Sequence, residues 1–301
     1  MKKDLEIITL ILIALTISIT SYVSAEDMDP IPKIFRMGAI RENPDQGIKH
    51  FGRMANYVAN KLKEFNVEGG KVVVEKDLNG MIKKFRNKEV EMILETPFAI
   101  LKMEGKLGLR AKLLAYKKGA KEYRTLFFVR KDSAIQKLTD LRGKTVVFQD
   151  PGSTSGYAIP KAELVIHGMA LSPKEVEKAP PDVVSYVFAA DEVNQAFWVI
   201  QKRADAGAFN NDDWDELPEK VRGELKIIHE TKPILRLLIA FRPHLPTRFS
   251  NAVEDILLNM NKYPKGRKAL ESSRIIKIER LSDDDHLSLN YVKDLMNFID
   301  E

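Results

Sequence analysis

The 301-residue sequence contains no cysteine, and this absence excludes several classes of function. Disulfides, thiolate metal sites, iron–sulfur clusters and a cysteine nucleophile are all ruled out. Histidine is also scarce, with five scattered residues. The net charge is +5, but the lysines and arginines are spread along the chain instead of forming a basic run, so no nucleic-acid partner is indicated. No cofactor and no metal are expected.

The N-terminal residues have the composition of an export signal. Two lysines precede an apolar segment that runs from Ile7 to about Thr20, and Val23 and Ala25 occupy the −3 and −1 positions of a signal-peptidase site. The apolar segment is shorter than the ~20 residues that cross a bilayer. We therefore expect residues 1–25 to be a cleavable signal peptide and the mature chain to be a soluble protein of the periplasm.

Beyond this segment, strand-like and helix-like patterns alternate along the chain. Short β-branched runs such as 71–76 and 145–149 are separated by segments with helical spacing, for example 50–65. The alternation predicts an α/β protein with parallel sheets and helices on both faces. Ligands of such sheets bind at the carboxyl ends of the strands. The loops in these positions are 41–48, 95–99, 150–156 and 209–213.

The loop with the sequence GSTSG, residues 152–156, stands where a helix is expected to begin. A helix N-terminus has unpaired backbone N–H groups, and Ser153, Thr154 and Ser155 add hydroxyl donors. The loop is either a capped turn or a cradle for a tetrahedral oxyanion, and the local sequence does not separate the two. A nucleophile elbow is not indicated, because the central residue of the motif is a threonine and no histidine stands out as its base.

Other candidate residues also have both a functional and a structural interpretation. Asp205, near the end of a predicted short strand, either pairs with a cationic part of a ligand or holds its own loop. Phe51 and Phe98 follow predicted strand exits, where they are either core residues or walls of a ligand site. The acidic residues 283–285 are interpreted as the first turn of a helix capped by Ser282 and not as metal ligands.

Together these segments resemble the PhnD-like phosphate, phosphonate or phosphite-binding proteins of ABC transporters. The resemblance covers nearly all of the chain after the signal segment, and its most specific part is DLRGKTVVF followed by STSGY. It implies a two-lobed type II periplasmic-binding fold, each lobe a mixed sheet flanked by helices, with the ligand cleft between the lobes. The implied division is 32–119 for the first part of lobe 1, 120–232 for lobe 2 and 233–301 for the rest of lobe 1, with crossings near 118–124 and 230–238.

The resemblance also implies a function and a set of site residues. A monomeric, non-catalytic protein would capture a phosphorus oxyanion by lobe closure and deliver it to an ABC permease. The alternatives are a sensing subunit for a membrane histidine kinase and an exported phosphoester hydrolase. The ligand-binding residues implied are Ser153, Thr154, Ser155, Gly156, Asp205, Phe51 and Phe98. The chain departs from the family pattern at residues 96–98, which read TPF where Gly-Pro and a tyrosine are frequent, and at AADEV, where a histidine is frequent.

Overall fold

The computed structural model describes residues 28–173 and 181–299. The predicted signal peptide, residues 1–25, lies outside the described residues. Among the helices that are described, none is both long enough and apolar enough to cross a membrane.

The first of two large sheets takes its strands from both ends of the described chain. They are β1 (Ile34–Ile40), β2 (Gly69–Glu75), β3 (Met92–Glu95), β4 (Arg110–Lys117), β13 (Leu238–Phe241) and β14 (Ile275–Arg280). Across the sheet the order is β14, β4, β13, β3, β1, β2. The pairs formed by β1 are parallel and the others are antiparallel. The accompanying helices are α1 (Pro44–Lys61), α2 (Leu78–Arg86), α3 (Pro97–Leu107), α8 (Thr247–Asn259), α9 (Pro264–Glu271) and α10 (Asp283–Met296).

The second sheet uses the middle of the chain and has a similar arrangement. Its strands are β6 (Thr125–Arg130), β7 (Thr145–Phe148), β8 (Ala170–Pro173), β9 (Val183–Phe188), β10 (Ala206–Asn210) and β11 (Leu225–Glu230). The order is β11, β6, β10, β7, β9, β8. Its helices are α4 (Ile159–Ile166), α5 (Glu192–Ile200), α6 (Asn211–Glu216) and α7 (Glu219–Arg222), and a π-helical turn, Thr154–Ala158, precedes α4.

Both large sheets are covered on their two faces, as the apolar strand sequences require. In β6, successive residues Phe127 and Phe128 point to opposite faces, and both are fully buried. They belong to separate apolar clusters, one packed under α4 and the other under α5. A further cluster lies between the lobes and contains Phe98, Tyr123 and Ile159. The interlobe contact is therefore partly apolar.

Two short strands lie where the chain passes from one sheet to the other. These are β5 (Glu122–Tyr123) and β12 (Ile234–Leu235), which pair antiparallel with each other and form a separate two-stranded sheet. The backbone N–H of Arg236 also donates to the carbonyl of Lys121 at 2.8 Å. The two crossings are thus hydrogen-bonded side by side.

The prediction of an α/β fold with two lobes, each a mixed sheet flanked by helices, is confirmed. The alternation alone indicated parallel sheets, whereas both sheets are mixed, because β6, β11, β13 and β14 run antiparallel to their neighbours. The cap at Ser282 is present: its hydroxyl accepts from the N–H of Asp285 at 3.2 Å, and the Asp285 carboxylate accepts from the N–H of Ser282 at 2.9 Å.

Candidate ligand-binding cleft

The loop after β7 is a tight turn that leads into the cap of the next helix. The Asp150 carboxylate accepts a hydrogen bond from the N–H of Gly152 at 2.8 Å. The Ser153 hydroxyl accepts from the N–H of Gly156 at 3.0 Å and donates to the side-chain oxygen of Gln149 at 2.6 Å. The hydroxyl of Ser153 and the N–H of Gly156, two of the predicted ligand donors, therefore already have partners within the loop.

The next two hydroxyls of the loop are buried deeper than that of Ser153. Thr154 is 1% exposed, and among the described residues its hydroxyl has no hydrogen-bond partner. The Ser155 hydroxyl accepts a long hydrogen bond, 3.4 Å, from the side-chain amide of Asn210 at the end of β10. Thr154 and Ser155 are therefore the hydroxyl residues of the loop that remain available to a ligand.

Tyr123, on the crossing strand β5, places a third hydroxyl beside these two. It is buried, and in the described part of the chain its phenol oxygen also has no hydrogen-bond partner. Burial raises the pKa of Tyr123 to about 12, so the phenol stays protonated and can donate at neutral pH. The side chains of Ser155 and Thr154 interact with the Tyr123 phenol and partly offset the rise in its pKa. Among the described residues, neither the Tyr123 nor the Thr154 hydroxyl has a hydrogen bond of normal geometry, and buried hydroxyls of this kind cost free energy unless something binds them.

Arg236 lies beside Tyr123, and further cationic side chains come from the first lobe. The guanidinium carbon of Arg236 lies 5.5 Å from the Tyr123 ring centroid, and its side chain is 6% exposed and paired with Asp212. Arg41 donates to Glu95 at 2.6 Å and lies 5.5 Å from the ring centroid of Phe51. Burial, together with the charges of Arg236 and Arg41, lowers the pKa of Lys117. The cleft therefore holds several positive charges.

Carboxylates of the second lobe are linked to the hydroxyl loop through Gln149 and Asn210. Burial raises the pKa of Glu192 to about 7, with a further contribution from the negative charges of Asp213 and Asp150. Burial also raises the pKa of Asp213, against the lowering effect of Lys118 and other cations, and that of Asp150. The side-chain N–H of Gln149 donates to Glu192 at 2.6 Å, which connects this carboxylate to the loop.

Replacing Glu192 by Gln is expected to stabilise the protein at high pH. Because the pKa of Glu192 is raised in the folded state, that state binds more protons than the unfolded chain between about pH 4.5 and 7, and stability falls as the pH rises through this window. Glu192→Gln removes the charge and keeps an oxygen for Gln149. We expect no difference near pH 4.5 and a gain of about 2 kcal/mol at pH 8, after a discount for partial solvent exposure.

Urea unfolding at pH 4.5 and pH 8 measures this effect. Glu271→Gln, a substitution at an exposed position on α9, is the matched control and is expected to change stability by less than about 0.5 kcal/mol at both pH values. An equal effect of Glu192→Gln at the two pH values would contradict the assignment of a raised pKa to Glu192.

Asp205 does not lie with the other predicted site residues. It precedes β10, which runs parallel to β7, so it stands at the amino ends of the two strands. Its carboxylate accepts from the N–H of Thr145, the first residue of β7, at 2.8 Å. The strands span roughly 15 Å, so the hydroxyl loop is at the far end. The expectation for Asp205 is corrected: this residue holds the start of β7, and the carboxylates after β10 are Asp212 and Asp213.

The two predicted aromatic residues lie on the first-lobe side of the cleft, but they are almost fully buried. Phe98, in the first turn of α3, packs against Tyr123 and Ile159 in the interlobe cluster. Phe51 belongs to the core of the first lobe and lies beneath Arg41. These positions make Phe98 a support for Tyr123, and Phe51 a support for Arg41.

Sequence reasoning did not identify Tyr123, Arg236 or Lys117, and it included Asn210 only as part of the loop 209–213, without selecting it as a site residue. The first three stand in or next to the crossing segments, which were located near 118–124 and 230–238 from the family resemblance. In a two-lobed protein the crossings border the cleft, so their polar side chains were candidates by topology. Asn210 is the last residue of β10, which is the position that the rule for strand ends indicates.

The structure has two α/β lobes joined by paired crossings, and polar groups of both lobes lie at the carboxyl ends of strands. This arrangement is that of periplasmic substrate-binding proteins with a type II fold. A family model described as "ABC transporter, phosphonate, periplasmic substrate-binding protein" matches residues 39–286. The chain belongs to this family, whose members are the substrate-binding components of transporters.

Individual relatives agree with this placement. A segment of 90 residues is 36% identical to the phosphate-import protein PhnD of Mycolicibacterium smegmatis, and it spans only 27% of the length of that protein. XAC2383 from Xanthomonas citri, solved with chloride ion and with ATP, is 25% identical, with TM-scores of 0.86 and 0.85; the match covers 89% of this chain and 99% of that one. PhnD1 from Prochlorococcus marinus, solved with methylphosphonate, shares the fold with a TM-score of 0.68 at 16% identity, over 90% of this chain and 99% of that one.

Proposed function

We propose that the protein is the periplasmic solute receptor of an ABC transporter, and that it captures a phosphorus oxyanion between its lobes and delivers it to a membrane permease. In this role it acts as a monomer and catalyses no reaction. The relatives support the proposal, since one is named for phosphate import and another was solved with methylphosphonate. XAC2383, which is similar to this chain, was solved with ATP bound, and ATP contains a phosphate ester.

The observation that carries the proposal is the pair of buried hydroxyls without partners, on Thr154 and Tyr123. Both are donors, and a phosphoryl or phosphonyl oxygen is a strong acceptor for them. Ser155 and Asn210 lie beside them, and Arg236 supplies positive charge. Hydrogen bonds to a charged ligand are stronger than those between neutral groups. In this proposal, Ser153 and Gly156 hold the shape of the loop and do not contact the ligand.

Capture requires that the two lobes close on the ligand, and the crossings supply the hinge. We assign residues 120–232 to the second lobe, so that β5 and β12 lie at the boundary. The hydroxyls of Thr154 and Ser155 come from the second lobe, Arg41 comes from the first, and Tyr123 and Arg236 come from the crossings themselves. A ligand bound to all of these groups would favour the closed arrangement over the open one.

The decisive experiment is a titration of the mature protein, residues 26–301. Phosphate, phosphite, methylphosphonate, 2-aminoethylphosphonate and ATP would be added in turn while heat and melting temperature are followed. A true ligand at a hundred times its Kd is expected to stabilise the folded state by about 2.7 kcal/mol. Sulfate and acetate test whether phosphorus is required, and glycine betaine tests whether a quaternary ammonium group is accepted.

The proposal fails if no phosphorus oxyanion shifts the melting temperature, or if sulfate and acetate bind as well as the best of them. Preferential binding of glycine betaine would also contradict it, because its quaternary ammonium group would then be bound by Asp212, Asp213 and Glu192.

A further inference from the structure

A second feature of the cleft is a chain of hydrogen bonds that connects the hydroxyl loop with Glu192. The carboxylate of Glu192 accepts from the side-chain amide of Gln149 at 2.6 Å. The amide oxygen of Gln149 accepts from the hydroxyl of Ser153 at 2.6 Å, and that hydroxyl accepts from the N–H of Gly156 at 3.0 Å. A continuous chain of hydrogen bonds thus runs from the loop backbone, through two side chains, to a carboxylate on another helix.

The backbone fixes the position of Gln149 in this chain. Its N–H donates to the carbonyl of Gly156 at 2.9 Å, and its carbonyl accepts from the N–H of Ala190 at 2.9 Å. Gly156 permits the close approach, because a Cβ at this residue would lie 2.6 Å from the Cβ of Gln149 and 2.9 Å from the Ser153 hydroxyl oxygen. The Gln149 amide is therefore held between Ser153 and Glu192, and it can exchange its oxygen and nitrogen only by rotating about its terminal Cγ–Cδ bond.

The direction of the Gln149 amide depends on whether Glu192 carries a proton. An ionised carboxylate can only accept, so it must face the amide NH2 group, and the amide oxygen then takes the single hydroxyl proton of Ser153. A protonated carboxyl group can donate and can therefore face the amide oxygen instead. In that case the NH2 group donates to Ser153, whose own proton is left for another acceptor.

The charged groups around Glu192 allow this change of protonation near neutral pH. The nearest are Asp191 at the start of α5, Asp150 in the loop and Asp213 on α6; Asp150 is in turn affected by Glu42, and Asp213 by Lys117, Lys118, Arg236 and Glu216. Burial and the three nearest carboxylates raise the pKa of Glu192 to about 7. Glu192 is therefore protonated below this pH and ionised above it.

We infer that Gln149 is a positioning residue of the oxyanion site, and that its amide reverses when Glu192 takes up a proton, so that Ser153 becomes a donor to the ligand. This inference rests on the proposed function and specifies its regulation. While Glu192 is ionised, Ser153 only holds the shape of the loop, as in the structure. After a proton has passed from solvent to Glu192, Ser153 accepts from Gly156 and from Gln149 and donates its own proton to the oxyanion.

The test measures the affinity for methylphosphonate and for inorganic phosphate at about pH 5.5 and about pH 8.5, on either side of the pKa of Glu192. Calorimetric titration is carried out on the unaltered protein and on Glu192→Gln, in which the new amide can donate to Gln149 at any pH. Because the ligands titrate too, each Kd is compared with that of the variant at the same pH. We expect equal affinities at the lower pH and about tenfold weaker binding by the unaltered protein at the higher pH.

Gln149→Met separates this coupling from direct repulsion between ionised Glu192 and the ligand. Methionine has a similar length but makes neither hydrogen bond, so the Ser153 proton is free at both pH values. In this background, Glu192→Gln is expected to change affinity at the higher pH by less than about threefold, whereas direct repulsion would keep its full effect. Glu219→Gln, the same change at an exposed residue in the first turn of α7, is the matched control and is expected to keep the pH dependence of the unaltered protein.

Ser153→Ala tests the other end of the chain. This variant is expected to bind methylphosphonate about tenfold more weakly than the unaltered protein at the lower pH, and less than about threefold more weakly at the higher pH. The lost helix cap acts at both pH values, so it does not produce a difference between them.

The outcomes separate this inference from the proposed function. An affinity ratio that is the same at both pH values refutes the inference and leaves the proposed function standing. An effect of Glu192→Gln that persists in Gln149→Met, or an equal loss for Ser153→Ala at both pH values, has the same meaning. If neither methylphosphonate nor phosphate binds at either pH, the inference fails, and the wider titration described above decides whether the proposed function fails with it.

Discussion

Thr154→Val is expected to weaken oxyanion binding by about 10- to 100-fold and to leave the protein at least as stable as before. Valine has nearly the shape of threonine, so packing is retained while the hydroxyl is removed. In the described chain that hydroxyl is buried without a partner, a situation that costs about 1–3 kcal/mol. Its hydrogen bond to a charged ligand is worth about 1.5–3 kcal/mol, which converts to the expected change in affinity.

Thr125→Val is the matched control, because it makes the same chemical change at a hydroxyl that has a partner. Thr125 is also 1% exposed, and its hydroxyl donates to the carbonyl of Ser155 at 2.9 Å. This variant is expected to lose about 1–2 kcal/mol of stability, since the carbonyl is left without its donor. Urea unfolding and calorimetric titration give both quantities for both proteins.

For the interpretation to hold, Thr154→Val must not lower the free energy of unfolding, whereas Thr125→Val must lower it. A Thr154→Val variant that is destabilised as much as Thr125→Val, and that binds its ligand normally, would show that the Thr154 hydroxyl has a structural role. Tyr123→Phe is a second test of this interpretation, because among the described residues the hydroxyl of Tyr123 is also buried without a hydrogen bond of normal geometry. We expect it to reduce affinity in the same range without a loss of stability.

The position of the hydroxyl loop could be predicted from the sequence, but which of its hydroxyls caps the helix and which remains unbonded could not. A loop after a β-branched strand and before a helix lies at the carboxyl end of the sheet in any α/β fold. Ser, Thr and Ser are nearly equivalent as caps, so composition does not decide which one caps the helix. The wide π-helical first turn decides it, by placing the N–H of Gly156 on Ser153 and leaving Thr154 free.

Strand direction explains why Asp205 was assigned to the wrong end of its strand. The short strand predicted at Asp205 exists, but it is β10, which begins at Ala206 and ends at Asn210. The ligand end is therefore the polar run that follows, which the sequence suggested to be a loop. In the structure that run is helix α6, because the Asn210 side chain accepts from the N–H groups of Asp212 and Asp213.

The charges of the cleft were beyond sequence reasoning for a different reason. Lys117, Arg236 and Arg41 are far apart along the chain, and a single lysine or arginine in a sequence is most often a surface residue. Only the pairing of β5 with β12 brings two of them together at the boundary of the lobes. The family resemblance predicts where the crossings lie, but it does not predict the role of residues that are absent from the family pattern.

Arg236→Met is expected to have the largest effect on both stability and binding. The guanidinium group is almost fully buried and is paired with Asp212, whose other cationic neighbour, Lys118, is 3.9 Å away. Removing Arg236 leaves the Asp212 carboxylate poorly compensated, which for buried pairs costs about 3–5 kcal/mol. Methionine keeps the apolar stem that packs near Tyr123, so the loss of charge is the main change.

A second substitution separates the two consequences of losing Arg236. In the double variant Arg236→Met/Asp212→Asn, the uncompensated carboxylate is removed as well, and about 2–3 kcal/mol of stability is expected to return relative to Arg236→Met. Ligand affinity is expected to stay at least about tenfold below that of the unaltered protein, because the charge that faces the oxyanion is still missing. Urea unfolding and calorimetry with methylphosphonate measure the two quantities on the unaltered protein, on Arg236→Met, on Asp212→Asn and on the double variant.

The cycle decides how Arg236 acts on the ligand. If affinity returns together with stability, Arg236 matters only because it neutralises Asp212, and the oxyanion is held by the hydroxyls alone. If affinity stays low while stability returns, the guanidinium group is itself a ligand contact. The second outcome is the one expected from its place beside Tyr123, since the phenol and the guanidinium group then donate to the same anion from one side of the hinge.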